Sequence, residues 1–167
     1  MATIEEEYKL FPTLVWNVDC SELLPEVTEV FKKTPWMENN PGVSDGFLVL
    51  KKHKELTEKF EKIINFVLED LKYSVPMGMT TSWFTNTAPG RRVEEHNHNN
   101  SFWSGVFYLH DASPLILLKE STSIEVPFTT TRLDLRTHGG VPINAKEGHM
   151  IIFPSSVRHA SEYNNTP

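Results

Sequence analysis

The chain has 167 residues, of which 39% are hydrophobic and 23% charged. That length and balance fit one soluble globular domain and exclude a disordered or collagen-like chain. Sixteen basic against 22 acidic residues leave a formal charge of −6, so nucleic acid and anionic membrane are not expected partners. The longest apolar runs, Pro114 to Leu118 and Met150 to Phe153, fall far short of the roughly 20 residues that span a bilayer. The acidic start, Met1 to Lys9, carries no secretory signal, and Cys20 is the single cysteine. Both features lead us to expect a reducing, cytoplasmic setting.

In chain order, residues 1–75 read as a helix-bearing part and residues 76–167 as β structure. Ser21 is placed to cap a helix over Glu22 to Lys33, with acids in its first turn and Lys32 and Lys33 in its last. Turn residues Asn39, Asn40, Pro41, Gly42 and Gly46 follow, and Phe47 to Leu50 reads as a short strand. Lys54 to Tyr73 is the clearest helix, because Leu56, Phe60, Ile63, Val67 and Leu71 recur at three and four residues. From Gly78 the sequence is rich in Thr, Trp, Phe, Val and Ile and is cut by Pro, Gly, Asn and Asp. Strands are expected at Thr80–Thr85, Phe102–His110, Pro114–Leu118, Ile124–Phe128, His149–Phe153 and Val157–Tyr163, with a long loop over Thr129 to Asn144. The spacing points to a barrel or sandwich of mainly β, α+β class.

Seven histidines are the unusual chemical feature. In Glu94-Glu95-His96-Asn97-His98 the two imidazoles are two apart, so on an extended segment they project from one face, which Glu94 shares. His159, on a late β segment after a Pro-Ser turn, is a third donor that could converge on the same metal. An Asn- and His-rich surface loop is the plainer reading of the pair. His53, His110, His138 and His149 are expected to face solvent or make hydrogen bonds.

The run Ser82-Trp83-Phe84-Thr85-Asn86, then Gly90, His96 to Ser101, Ser104 to Leu109, and Gly148 through His159 resembles the Fe(II)/2-oxoglutarate-dependent oxygenases found in marine bacteria and cyanophages, within the prolyl-hydroxylase-like superfamily. An early Leu10-Phe11-Pro12-Thr13 segment is similar as well. The resemblance implies a double-stranded β-helix, or jelly roll, of cupin-like form over a single domain 1–167, with residues 1–75 packed outside a 76–167 core. By position it makes His96, His98 and His159 the metal ligands, His98 standing where the superfamily usually has Asp or Glu. Three neutral imidazoles would leave the full charge on the metal, and Glu94 is the alternative source of a carboxylate. Tyr108 would touch the cosubstrate, and Ser104 shares its face. No catalytic residue beyond the ligands is implied.

The implied cofactors are Fe(II) and 2-oxoglutarate, and the implied reaction hydroxylates a C–H bond of a peptidyl or small-molecule substrate with release of succinate and carbon dioxide. The superfamily places a basic residue after the distal His to pair with 2-oxoglutarate. Only Ala160 to Pro167 follow His159, with no Arg or Lys, so the last strand and its anchor are expected to be missing. Arg132, Arg136, Lys146 and Arg158 are candidate substitutes. Two other readings stand beside this one. Gly90, five residues, then His96-x-His98 matches the opening of a cupin metal motif, although its following Glu is missing. A non-catalytic β-barrel binding protein is the other. Exposed edge strands lead us to expect a homodimer.

Overall fold

A computed structural model describes residues 12–119 and 139–165. It is mostly β, with two helices. Strand β1 (Trp16–Asp19) leads through a 3₁₀ turn at Ser21–Leu23 into helix α1 (Leu24–Lys33). The hairpin strands β2 (Trp36–Met37) and β3 (Asn40–Ser44) follow, and then helix α2 (Lys54–Val67). The later strands are β4 (Trp103–Phe107), β5 (Ala112–Leu118), β6 (Gly140–Ala145), β7 (His149–Pro154) and β8 (His159–Ser161).

Two three-stranded antiparallel sheets carry the architecture, ordered β1-β7-β4 and β6-β5-β8. Strand β7 explains the layering. It is central in its sheet and covered on both faces, which is why its sequence is a continuous apolar run rather than an alternation. Met150 and Ile152 face a core with Leu56 and Phe60 of α2 and Val27 and Val30 of α1. Ile151 and Phe153, both 0% exposed, face the opposite sheet, packing with Leu115 and Leu117 of β5. Burial of each such side chain is worth about 1.5–3 kcal/mol. Hydrogen bonds from Ser161 to Val93 and between Asn164, Arg91 and Gly90 run the 90–96 segment alongside β8, extending the second sheet.

Several expectations are corrected. Helix α1 begins at Leu24 because Pro25 suits its first turn, and Ser21 provides no side-chain cap; its N–H instead donates to Asp19 Oδ1 at 3.0 Å. Helix α2 stops at Val67, short of Tyr73: a 3₁₀ turn at Glu69–Leu71 is followed by Lys72 in the left-handed region at φ 54°. Phe47 to Leu50 is not a strand, since Val49–Lys52 forms a 3₁₀ turn held by Ser82. Thr80 to Thr85 is extended but makes only isolated bridges, Val43 to Thr85 and Leu48 to Ser82.

The predicted loop at 129–144 gives way to β6 from Gly140. Pro142 does not prevent that strand because, among the described residues, β6 is at the sheet edge, where a missing N–H breaks no ladder. Strands β4 and β8 are shorter than the spans predicted for them, and β1, from the N-terminal part, pairs with β7 as a member of the first sheet. The predicted strand Ile124–Phe128 and His138, Arg132 and Arg136 lie outside the described residues, as do Leu10 and Phe11.

Candidate metal centre

His96 and His159 face each other across the 90–96 segment and β8. Each donates its backbone N–H to the other's carbonyl, at 3.0 and 2.8 Å. In an antiparallel pair of this kind both side chains emerge on one face. His98 lies two residues on, its N–H donating to the Ser155 carbonyl at 2.9 Å. One ring nitrogen from each of the three histidines falls within 4.8 Å of the others. The ring centroids are 4.2 to 5.1 Å apart.

Two of the rings are oriented by backbone carbonyls. His96 Nδ1 pairs with the Glu94 carbonyl at 2.8 Å and His159 Nδ1 with the Val157 carbonyl at 3.0 Å. Those carbonyls accept, so Nδ1 carries the proton and Nε2 is left with its lone pair free, the tautomer a metal requires. Trp83 stands edge-on to His98 at 5.3 Å, and Phe153 to His159 at 4.8 Å. Burial lowers the pKa of His98, and the nearby His96 adds to the effect. Burial pushes His159 down to about 4, with the Val157 carbonyl opposing and the charges of His96 and His98 reinforcing the shift. Both imidazoles are therefore neutral near pH 7 and available as ligands.

Glu94, the sequence alternative as ligand, lies apart from the three clustered imidazoles. Its exposed carboxylate is engaged by Arg92, at 2.9 Å from Nη2, and only its backbone carbonyl serves the site. Arg158 pairs with Glu95 on the outer face of the same ladder, and Lys146 is exposed. His53 is exposed beside α2, His110 pairs with the Asp111 carbonyl, and His149 with Asn17.

Tyr108 and Ser104 share the inner face of the first sheet, as alternation predicts. Tyr108 packs with Val106 on the Ile151 and Phe153 side, where burial raises its phenol to about 12, and its hydroxyl has no hydrogen-bond partner among the described residues. Ser104 Oγ lies 2.7 Å from Ser155 Oγ. Ser155 was invisible to sequence reasoning. After Pro154 it reads as an ordinary turn residue, yet it is 0% exposed and fixes both Ser104 and the His98 backbone. Trp83 stands in the sequence only as part of the Ser82 to Asn86 run, with no signal that its ring meets His98.

No curated protein matches this sequence. Residues 81–167, just over half of the chain and including all three clustered histidines, match the family described as "Putative 2OG-Fe(II) oxygenase". The chain belongs to that family of 2-oxoglutarate- and Fe(II)-dependent oxygenases.

Proposed function

We propose that this chain hydroxylates a C–H bond of a peptidyl or small-molecule substrate, using Fe(II) held by His96, His98 and His159 and 2-oxoglutarate as cosubstrate. The observation that carries the proposal is the convergence of three imidazole nitrogens within 4.8 Å, two of them on rings whose Nδ1 is already committed to a carbonyl. The family implies both Fe(II) and 2-oxoglutarate, and imidazole is a suitable Fe(II) donor. When bound, the iron would supply activation of molecular oxygen, one oxygen atom going to the substrate C–H bond and the other to succinate as 2-oxoglutarate loses carbon dioxide.

The chain's residues bind, orient and exclude water. Paired backbone bonds fix His96 against His159, Ser155 fixes His98, and Trp83 and Phe153 shield two of the rings. Tyr108, neutral and with its hydroxyl unpartnered among the described residues, is the donor we assign to 2-oxoglutarate, with Ser104 beside it on the same face. The distal carboxylate of 2-oxoglutarate finds no suitable cation among the described residues, because Arg92 and Arg158 are paired with Glu94 and Glu95. We therefore assign no step to that end of the cosubstrate.

The two facing sheets support a jelly roll, and the motifs between residues 82 and 159 support the marine bacterial and cyanophage subtype. A cytoplasmic setting and homodimerisation through free sheet edges belong to the same proposal. Among the described residues no helix is long and apolar enough to cross a membrane.

The test is anaerobic Fe(II) titration followed by 2-oxoglutarate. A visible metal-to-ligand charge-transfer band is expected. Metal binding without that band even at millimolar 2-oxoglutarate would defeat the proposal in favour of a cupin-type site, a reading supported by the His96-x-His98 pair within the clustered donors. No metal binding at all would leave a binding scaffold.

A further inference from the structure

A cavity of about 360 Å³ lies between the extended 77–84 segment and β4, with α2 behind it and His98 in its wall. Its size is at the lower end of the range for small-molecule sites, about 300–1,000 Å³. Apolar side chains dominate the interior: Leu50, Phe60, Ile64, Met79, Phe107 and Met150 are among them. Among the described residues Glu61 is the one carboxylate in the lining, and it is already used, since Oε1 accepts the Met79 N–H at 2.7 Å. Among the described residues no Lys or Arg lines the cavity.

These walls are wrong for a dianion. Desolvating two carboxylates among Phe and Met side chains without a cation carries a penalty of several kcal/mol per charge. The cavity shares His98 with the candidate metal centre and Ser104 with the face assigned to 2-oxoglutarate, yet its described walls offer a dianion no cation, which leaves it to the other reactant. Its mouth is also apolar. Phe102 is 83% exposed, Trp83 is 36% exposed, and Phe47 stacks edge-on against Trp83 at 5.8 Å. Exposed aromatics clustered beside a pocket are a recognition feature more often than a chance one.

We infer that this cavity is the substrate site and that the substrate is an uncharged, elongated, largely apolar small molecule whose reacting end reaches the His98 side. The inference rests on the oxygenase reading and narrows it. Ser101 and Thr80, whose hydroxyls are 3.2 Å apart at the wall, offer an uncharged head group its hydrogen bonds.

The experiment uses N-phenyl-1-naphthylamine, an uncharged apolar fluorophore, and Co(II) as a spectroscopic stand-in for Fe(II). Saturable one-to-one enhancement of emission is expected with the full chain, displaced by decan-1-ol. Met79→Trp, which fills the cavity, should weaken binding at least tenfold while leaving the Co(II) visible spectrum unchanged. Thr81→Trp, at an exposed position of the same wall, provides a second filled variant that does not disturb the core. With Co(II) bound, the proton resonances of decan-1-ol should broaden, one end more than the other. Absence of saturable binding, or binding indifferent to both tryptophan variants, would overturn the inference. So would a bound alcohol that Co(II) does not broaden although its visible band is present. Absence of the Co(II) band with cavity binding intact would instead mark failure of the oxygenase reading, and with it the cavity's role as a substrate site.

Discussion

His96 and His159 exchange both backbone hydrogen bonds, at 3.0 and 2.8 Å, so that two imidazoles distant in the chain emerge from one face of a short ladder. The geometry makes the candidate metal centre a property of strand pairing rather than of a loop. His96→Ala, His98→Ala and His159→Ala should each lower Fe(II) or Co(II) affinity on the order of 100-fold or more, as read by direct titration of folded protein. Glu94→Gln should change it less than threefold, because the carboxylate belongs to Arg92 and the carbonyl that orients His96 survives the substitution. A large loss in Glu94→Gln would return the carboxylate to the ligand set.

Acid should destabilise the metal-free protein through His159. Its pKa in the fold is about 4, below the ordinary value of 6.5, so the unfolded chain binds a proton more readily in the interval between. The contribution to stability is fully present above pH 6.5 and is lost as pH falls towards 4, amounting to at most about 3 kcal/mol. Urea unfolding of metal-free protein at several pH values measures it. His159→Gln should flatten the slope in that window, and an unchanged slope would contradict the assignment.

Ser104 and Ser155 should prove energetically coupled. Ser155 has no exposure and its hydroxyl lies 2.7 Å from that of Ser104. Either serine changed to alanine leaves a hydroxyl without its partner, so each single change should cost about 1–2 kcal/mol. The double variant should cost less than the sum, by about 0.5–1 kcal/mol, in denaturant unfolding. Strict additivity would mean that the bond contributes nothing.

Gly148 should be intolerant of a side chain. It sits at φ +73°, and an added Cβ would come within 2.8 Å of Ser21 Cα, where its carbonyl accepts the Cys20 N–H at 2.9 Å. Gly148→Ala combines left-handed strain with backbone overlap and should destabilise by about 2–4 kcal/mol, seen as a lowered thermal midpoint. Retention of the wild-type midpoint would show that the turn can move off Ser21.

The sequence carried much of this arrangement where local pattern and environment agree. Helix α2 was legible because Leu56 and Phe60 recur on one face, and β7 because an apolar run bounded by a turn glycine is what a doubly covered strand requires. The histidine trio was legible as a spacing together with a distant third donor. What could not be read depends on long-range partners. Trp16–Asp19 is a strand only because β7 pairs with it, and 140–145 looked like loop until the edge position of Pro142 made a strand admissible. Thr80 to Thr85 has strand-forming residues but finds only isolated bridges. The pairing of Glu94 likewise turns on a neighbour, since nothing in its spacing reveals that Arg92 takes its carboxylate.

The ladder between the 90–96 segment and β8 has a mechanical meaning as well. His96 and His159 stand near opposite ends of the β region, so one ion bound to both would act as a clasp across a long loop. Most of the closure entropy of such a loop is lost on folding whether or not the clasp is present. With the ion in place, opening the sheet must also tear the ion from its ligands. Stripping the metal should therefore loosen the far end of the chain first, and heat release of the ion and fraying of β8 should coincide.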